Sequence, residues 1–215
     1  MKTMEVNRHS LFTRVVHWSI VITGIILGFT GLEIGGHYGI RFLGDNVTST
    51  HVYVGLVFGV LWVMFTYYML TKEWKWISLS RIIYSLKFLL AETRAWFGGP
   101  HIEDPRAYDP KKGEYVEKIV PTQVMVWWGY FVLAVIIGFT GLAMAFKDFF
   151  SWVFAIGDAI GPIFGAESGY AFVRAVHLLF MYLFATVMIV HIYAVIIFGV
   201  LKSMFTGKRE EKIVE

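Results

Sequence analysis

Long apolar stretches alternate with shorter polar segments along this chain. Four stretches carry few charges, at about 12–34, 51–71, 121–146 and 171–201. About 20 helical residues cross the roughly 30 Å hydrocarbon core of a bilayer, so each stretch is long enough to span one. Gly, Pro, Asn or charged residues border the stretches, as is usual at helix ends. The pattern predicts an all-α integral membrane four-helix bundle that forms one domain over residues 1–215.

A shorter apolar segment follows the second stretch. Residues 77–91 are interrupted by Arg81 and Lys87 and are too short to cross a bilayer. This pattern favours an amphipathic helix that lies at the membrane surface and is capped by Ser78 or Ser80.

Two further connections differ in character. Residues 147–170 are apolar and rich in Gly, which predicts a short interfacial or re-entrant helix. Residues 98–118 are rich in Gly, Pro and charge, which is typical of a solvated loop without a core.

Basic residues are concentrated in three segments. Of the 19 Lys and Arg residues, 16 lie in the N-terminal tail, the 72–120 loop and the C-terminal tail. Positive charge accumulates on the cytoplasmic side of membrane proteins, so we expect both termini and the 72–120 loop to be cytoplasmic. The net charge of +3 is small and gives no indication of a nucleic-acid surface.

Composition narrows the chemistry that the chain can support. Of its 215 residues, 57% are hydrophobic and 16% are charged, which is unusual for a soluble domain. The chain contains no Cys, and this excludes disulfides, thiolate-bound iron–sulfur clusters and haem attached through Cys. A tightly bound redox metal would therefore need His, Met, carboxylate or carbonyl ligands.

Four of the seven His residues lie in the apolar stretches, where an ionisable side chain is costly and indicates function. His177 and His191 share the last stretch, and 14 helical residues turn through about 1400°, so both point to one side, about 21 Å apart. That distance is too long for one metal ion and suits two sites stacked across a bilayer. The remaining three lie in tails or loops and receive no role: His9, His37 and His101.

Depth in the membrane pairs the four histidines. His17 begins the first span from the cytoplasmic side, and His191 lies toward the same side on the last span. His51 begins the second span from the outer side, as His177 does on the last. The expected pairs, His17 with His191 inside and His51 with His177 outside, each join two helices, as bis-histidine ligation of two haems b requires. A proton relay or an interhelical hydrogen bond is the alternative for any single His.

Glycines follow two of these histidines on the same helix face. Gly24, Gly28 and Gly31 lie within about 40° of the direction of His17, and Gly55 lies on the face of His51. Glycine in a membrane helix permits close approach, either by another helix or by a flat cofactor. Sharing a face with an intramembrane His favours haem contacts.

The sequence Arg-x-x-His occurs twice, at Arg14 to His17 and at Arg174 to His177. Each arginine lies one turn closer to water than its histidine. A guanidinium at that depth can pair with a haem propionate, because the propionate is a carboxylate. The alternative is an arginine that only anchors its helix at the interface.

A short internal repeat links the first and third spans. The sequence Gly-Phe-Thr-Gly-Leu occurs at 28–32 and again at 138–142. Aligning the two copies places Trp127 opposite His17, so the third span lacks the ligand. The repeat suggests duplication of a helical unit.

Together these residues resemble the four-helix di-haem cytochrome b family. The features that carry the resemblance are Arg14-x-x-His17-Trp18, His51 and the 14-residue interval from His177 to His191. The family includes the gamma subunits of formate dehydrogenases, the cytochrome subunits of thiosulfate reductases and the b-type cytochromes of nickel–iron hydrogenases. The interval looks closest to the formate dehydrogenase gamma branch.

The resemblance implies a membrane anchor in the cytoplasmic (inner) membrane of a prokaryote. Such a subunit belongs to a respiratory oxidoreductase that also has an iron–sulfur subunit and a catalytic subunit. It passes electrons between the iron–sulfur subunit and the quinone pool. Quinone would then bind near Arg14 and Gln123. A stand-alone superoxide:quinone oxidoreductase is the alternative, and a proton transporter or structural anchor is a third reading. The 72–120 loop favours a protein with partners.

Overall fold

The computed structural model describes residues 2–100 and 102–214, so His101 lies outside the described residues. The helices and strands, in chain order, are β1 Thr3–Asn7, α1 Leu11–Ile34, α2 Val47–Lys72, α3 Trp74–Ile77, α4 Ile82–Trp96, β2 Ala107–Asp109, β3 Glu114–Glu117, α5 Thr122–Ala145, α6 Ser151–Ile160, α7 Gly169–Ile197, α8 Leu201–Thr206 and β4 Lys208–Lys212. Short 3₁₀ turns occupy His37–Gly39, Gly44–Asn46, Leu79–Arg81 and Gly161–Phe164.

Helices α1, α2, α5 and α7 are long and apolar enough to cross a membrane. They expose large aliphatic side chains: Val60 and Val63 on α2 are 62% and 68% exposed, and Ile189 on α7 is 66% exposed. Apolar surface on this scale is unfavourable in water and favourable against lipid tails. The chain is therefore an all-α membrane protein with four spans, as its sequence predicts.

Two helix ends differ from the prediction by a turn. Helix α2 begins at Val47 rather than at His51, because the polar residues Thr48 to Thr50 form its first turn. Helix α7 ends at Ile197 rather than at 201, because Gly199 adopts a φ of +60°. The amides of Gly199 and Val200 donate to the carbonyls of Ile196 and Val195, in a Schellman motif that stops the helix.

A helix is present where the sequence predicts an amphipathic one, although its cap is different. Helix α4 begins at Ile82, after the 3₁₀ turn, and no side chain caps it. The hydroxyls of Ser78 and Ser80 bond to each other at 2.9 Å instead, so the predicted serine cap was wrong. A hydrogen bond of 2.8 Å from Trp128 Nε1 to the carbonyl of Ile77 ties this region to α5.

Residues 147–170 contain a short helix, as the sequence predicts, and its interfacial or re-entrant position stays a prediction. Helix α6 is followed directly by the 3₁₀ turn Gly161–Phe164. Val153 of α6 packs in a buried cluster with Ala143 of α5 and Val173 of α7. This cluster holds α6 against both long helices.

Two small antiparallel sheets complete the fold. Strand β1 pairs with β4, with Thr3 opposite Lys212, and β2 pairs with β3 as a hairpin. The hairpin lies in the segment 98–118, where Arg106 is only 3% exposed. The prediction of a loop without a core was therefore wrong in this segment.

Buried ion pairs surround these strands. The Arg8 guanidinium contacts the carboxylate of Glu211, and both side chains are almost fully buried. Burial lowers the pKa of Arg8, an effect that the charge of Glu211 opposes. Burial alone would raise the pKa of Asp104, but hydrogen bonds from Arg106 outweigh it and lower that pKa. Burial likewise raises the pKa of Tyr115 to about 12.

The chain divides into two compact units. The terminal unit comprises 1–15, 65–130 and 190–215, and the central unit comprises 16–64 and 131–189. The central unit contains His17, His51 and His177, whereas His191 belongs to the terminal unit.

Candidate functional site

The central unit brings two of the predicted ligands together. His51 of α2 and His177 of α7 face each other with their ring centroids 6.3 Å apart and their planes 73° from parallel. Both residues are half-buried. The structure thus pairs these two histidines as their predicted depth requires.

Each ring is held by a threonine from another helix. Thr30 Oγ1 of α1 lies 2.8 Å from His51 Nδ1, and Thr140 Oγ1 of α5 lies 2.9 Å from His177 Nδ1. Both threonines are buried, at 4% and 7% exposure. The two contacts have the same chemistry and nearly the same length.

A second hydrogen bond of each threonine determines which ring nitrogen of the histidine carries the proton. Thr30 Oγ1 lies 2.8 Å from the carbonyl of Ile26, and Thr140 Oγ1 lies 2.7 Å from that of Ile136. A hydroxyl has one hydrogen, and a carbonyl can only accept, so each threonine donates to its own helix. The hydroxyl then accepts from Nδ1–H of the histidine.

This arrangement leaves Nε2 of both His51 and His177 with a lone pair. A metal ion binds the unprotonated nitrogen of a neutral imidazole, and the hydrogen bond at the other nitrogen sets the tautomer. The two threonines therefore prepare both rings to act as ligands.

Glycines next to these threonines make room for the rings. A Cβ added at Gly31 would lie 3.4 Å from His51 Cε1, and one added at Gly141 would lie 3.2 Å from His177 Cε1. Both distances are short for carbon–carbon contacts, so any larger residue would press on the imidazole. Gly31 thus makes room for the ring of His51, a candidate ligand on another helix.

The separation of the rings fits one metal ion between them. A metal–imidazole bond is about 2.0–2.1 Å long, which places the ring centroids of two opposite ligands about 6 Å apart. Among the described residues, no group of three or more His, Asp or Glu side chains is placed to hold a metal ion. Two axial imidazoles suit a metal whose equatorial ligands come from a macrocycle, as in haem.

The other two predicted ligands lie in different units. The His191 ring meets the Tyr130 ring edge-on, with centroids 5.9 Å apart, in the terminal unit. The His17 ring meets Trp18 at 5.4 Å in the central unit. Pairing of His17 with His191 stays a prediction.

The remaining predicted glycines have different surroundings. A Cβ at Gly24 would meet Phe58 at 3.7 Å, and one at Gly55 would meet Leu27 at 3.8 Å, as in ordinary packing of α1 against α2. A Cβ at Gly28 would meet no atom within 4 Å. Gly24 and Gly55 thus serve close helix packing, and their haem contacts remain predictions.

The predicted polar residues lie at the ends of the helices. Arg14 donates to the carbonyl of Phe205 and packs against Gly207, so it joins α1 to the C-terminal segment. Arg174 is exposed and lies one turn before His177. Gln123 is exposed in the first turn of α5. Their roles toward propionates and quinone stay predictions.

Sequence reasoning missed Thr30, Thr140 and Gly141. All three lie in the two copies of Gly-Phe-Thr-Gly-Leu, at 28–32 and 138–142. The repeat is the signal that could have identified them, because each copy supplies one Thr and one Gly to one of the two outer histidines, His51 and His177.

A match to a known protein family covers most of the chain. Residues 8–207 match the model of a family described as prokaryotic cytochrome b561. The chain belongs to this family. As a cytochrome b561-type membrane protein it is expected to carry b-type haem, for which paired histidines are suitable ligands.

A curated relative shares most of the length of this b561-type cytochrome. The F420 non-reducing hydrogenase II cytochrome subunit of Methanosarcina mazei is 24% identical over 208 residues. The alignment covers 89% of this chain and 76% of the relative. The relative is thus a cytochrome subunit of an oxidoreductase.

Proposed function

We propose that this protein is a membrane-anchoring di-haem cytochrome b subunit. It transfers electrons between an iron–sulfur partner subunit of a respiratory oxidoreductase and the quinone pool. The observation that carries the proposal is the pair of rings at His51 and His177, each held by a threonine. Haem supplies one-electron redox chemistry between such ligands.

The first site is formed by His51 and His177 in the central unit. Their shared tautomer and their separation support one haem, which one imidazole from each of α2 and α7 would hold. Gly28 is also proposed to contact haem, because it lies on the same face of α1 as His17 and Gly31.

The second site is proposed for His17 and His191. The 14-residue interval on α7 places His191 about 21 Å from His177, on the same helix face. Two haems at these depths would form a path for electrons from one side of the membrane to the other. Tyr130, against the His191 ring, would lie beside this haem.

Both termini are proposed to face the cytoplasm. Strand β1 pairs with β4 along its whole length, so the two ends of the chain lie side by side. Most basic residues belong to the tails and the 72–120 loop, which supports a cytoplasmic position for all three.

Quinone is proposed to bind in the terminal unit. Arg14 lines a cavity of about 450 Å³ together with Tyr68 and Lys118. These side chains offer hydrogen-bond donors for a quinone carbonyl. Gln123 is exposed at the start of α5 and is a weaker candidate for the same role.

The partner is proposed to be an iron–sulfur subunit that delivers electrons from a catalytic subunit. The resemblance favours a formate dehydrogenase, whereas the relative from Methanosarcina mazei is a hydrogenase subunit. The cytochrome itself carries no further substrate site in this proposal.

Removal of single ligands tests the cofactors and their pairing. The purified wild-type protein should show a b-type spectrum with two haems per chain. His51→Ala and His177→Ala should lose one and the same haem, and His17→Ala and His191→Ala the other. His37→Ala is the matched control and should keep both. A wild-type spectrum without haem bands would refute the proposal.

Isolation of the native complex tests the partner. The protein should copurify with an iron–sulfur subunit, and reduced complex should transfer electrons to added quinone. A protein that purifies alone and reduces quinone with superoxide would instead be a stand-alone oxidoreductase. The catalytic subunit in the complex would distinguish formate dehydrogenase from hydrogenase.

A further inference from the structure

The internal repeat places the same two residues beside each ligand of one site. Thr30 and Gly31 serve His51, and Thr140 and Gly141 serve His177. The threonines lie on α1 and α5, whereas the ligands lie on α2 and α7. The site is therefore built from two equivalent pairs of helices.

We propose that Thr30 and Thr140 are positioning residues that orient the two ligands and lower the reduction potential of the haem between them. The inference rests on the proposed haem site at His51 and His177. It adds a function for two residues that contact neither the metal nor the quinone.

The mechanism follows from the direction of the hydrogen bond. Each threonine oxygen accepts Nδ1–H, so the imidazole gains electron density and becomes a more basic ligand. A more basic axial ligand stabilises ferric iron more than ferrous iron, which lowers the potential. Because both ligands receive the same bond, their effects on the potential have the same sign.

Ordinary helix geometry does not account for these contacts. Thr23 of α1 makes the same bond to its own helix, with Oγ1 2.7 Å from the carbonyl of Ser19. Thr186 of α7 does so at 2.9 Å from the carbonyl of Tyr182. Thr30 and Thr140 differ from these two threonines, because each also contacts a histidine on another helix.

Isosteric substitution separates the hydrogen bond from packing. Thr30→Val and Thr140→Val remove the acceptor and keep the shape, whereas Thr30→Ser and Thr140→Ser keep the acceptor. Thr23→Val is the matched control on α1. The redox potential of each haem is measured by optical titration of the purified protein, and ring orientation is followed by the low-spin ferric EPR signal.

The expected result is an upward shift of one haem only. Each Val variant should raise the potential of the His51–His177 haem and move its EPR signal, and the double variant should raise it further. The Ser variants should restore the wild-type potential, and Thr23→Val should leave both haems unchanged. Loss of this haem in the Val variants but not in the Ser variants also supports the positioning role.

Other outcomes overturn the inference and leave the proposed function intact. If the Val variants retain the haem at an unchanged potential, the bond does not tune it. If Val and Ser variants lose the haem alike, the threonines serve packing only. A wild-type protein that lacks this haem refutes the proposed function itself, and the titration shows this before any variant is compared.

Discussion

At the scale of single residues, the two paired histidines, the candidate ligands, depend on glycines beside them. Gly31 and Gly141 each allow an imidazole from another helix to approach within contact distance. The approach is closer at Gly141, where an added Cβ would lie 3.2 Å from the ring rather than 3.4 Å. The same motif therefore tolerates less change beside His177 than beside His51.

Replacement of these glycines tests the fit. Gly141→Ala should displace the His177 ring and reduce haem content or broaden the EPR signal of that haem, and Gly31→Ala should do so less. Gly59→Ala is the control, because its Cβ would meet no atom within 4 Å. The control should be neutral or slightly stabilising, since Ala favours a helix over Gly by about 1 kcal/mol. Equal haem content together with identical EPR signals in all three variants would contradict the prediction.

A buried ion pair near the termini gives a second prediction at this scale. Arg8→Met leaves Glu211 buried without its strongest partner, although Arg209 still donates to it at 2.8 Å. Breaking one side of a buried pair costs about 3–5 kcal/mol, so thermal unfolding in detergent should occur at a clearly lower temperature.

Lys208→Met provides the control for that prediction. Lys208 pairs with Glu5 at 3.0 Å, but both side chains are more than half exposed. An exposed pair contributes about 0–1 kcal/mol, so this change should hardly move the unfolding temperature. Equal effects of the two substitutions would argue against the buried pair as a source of stability.

At the scale of elements, α2 relates to α1 as α7 relates to α5, because in each pair one helix carries a histidine and the other carries the threonine that contacts it. Aligning His51 with His177 places Phe65 opposite His191, and the repeat places Trp127 opposite His17. Phe65 and Trp127 contact each other with ring centroids 5.6 Å apart. An aromatic pair thus stands at the two positions that duplication would relate to His17 and His191.

The angular relation between His177 and His191 on α7 can be tested by an insertion between them. Insertion of one Ala after Met181 rotates His191 by about 100° relative to His177. The variant should keep the His51–His177 haem and lose the other, which is measured as one haem per chain instead of two. Leu183→Ala is the control without a change of phase and should retain both. Retention of two haems after the insertion would show that the common helix face is not required.

At the scale of the whole molecule, hydrogen bonds and ion pairs connect segments that lie outside the four apolar spans. Arg106 donates to Asp104 and also to the carbonyl of Phe198 at 3.1 Å, beyond the end of α7. The hairpin segment is thereby joined to the last span. Stability of the protein should therefore depend on pH through Asp104.

Asp104 determines how the stability of the protein changes at acidic pH. Its pKa in the folded protein lies below the ordinary value, so its stabilising effect is present above about pH 4. The effect is lost as the pH falls through the folded pKa. Asp104→Asn should lower the unfolding temperature at pH 7, and the difference from wild type should shrink toward pH 3. Glu5→Gln, in the exposed pair, should show no such difference, and a constant difference for Asp104→Asn would contradict the assignment.

Several features could be predicted from the sequence because they depend on local pattern. The four spans follow from runs of apolar residues, and the common face of His177 and His191 follows from helix periodicity. Prediction failed where distant segments meet. The pairing of β1 with β4 joins the two ends of the chain, and no local signal identifies such partners. The serine cap failed because Ser78 and Ser80 bond to each other instead of to the helix.

The sequence by itself determined the membrane architecture and the four candidate ligands. Hydrophobic length, charge distribution and residue spacing are properties of single segments, and a bilayer imposes strict limits on each. Only the tertiary structure decided that Thr30 and Thr140 hold the rings of His51 and His177. A hydrogen bond between helices depends on their relative rotation and distance, which packing of the whole helix set determines.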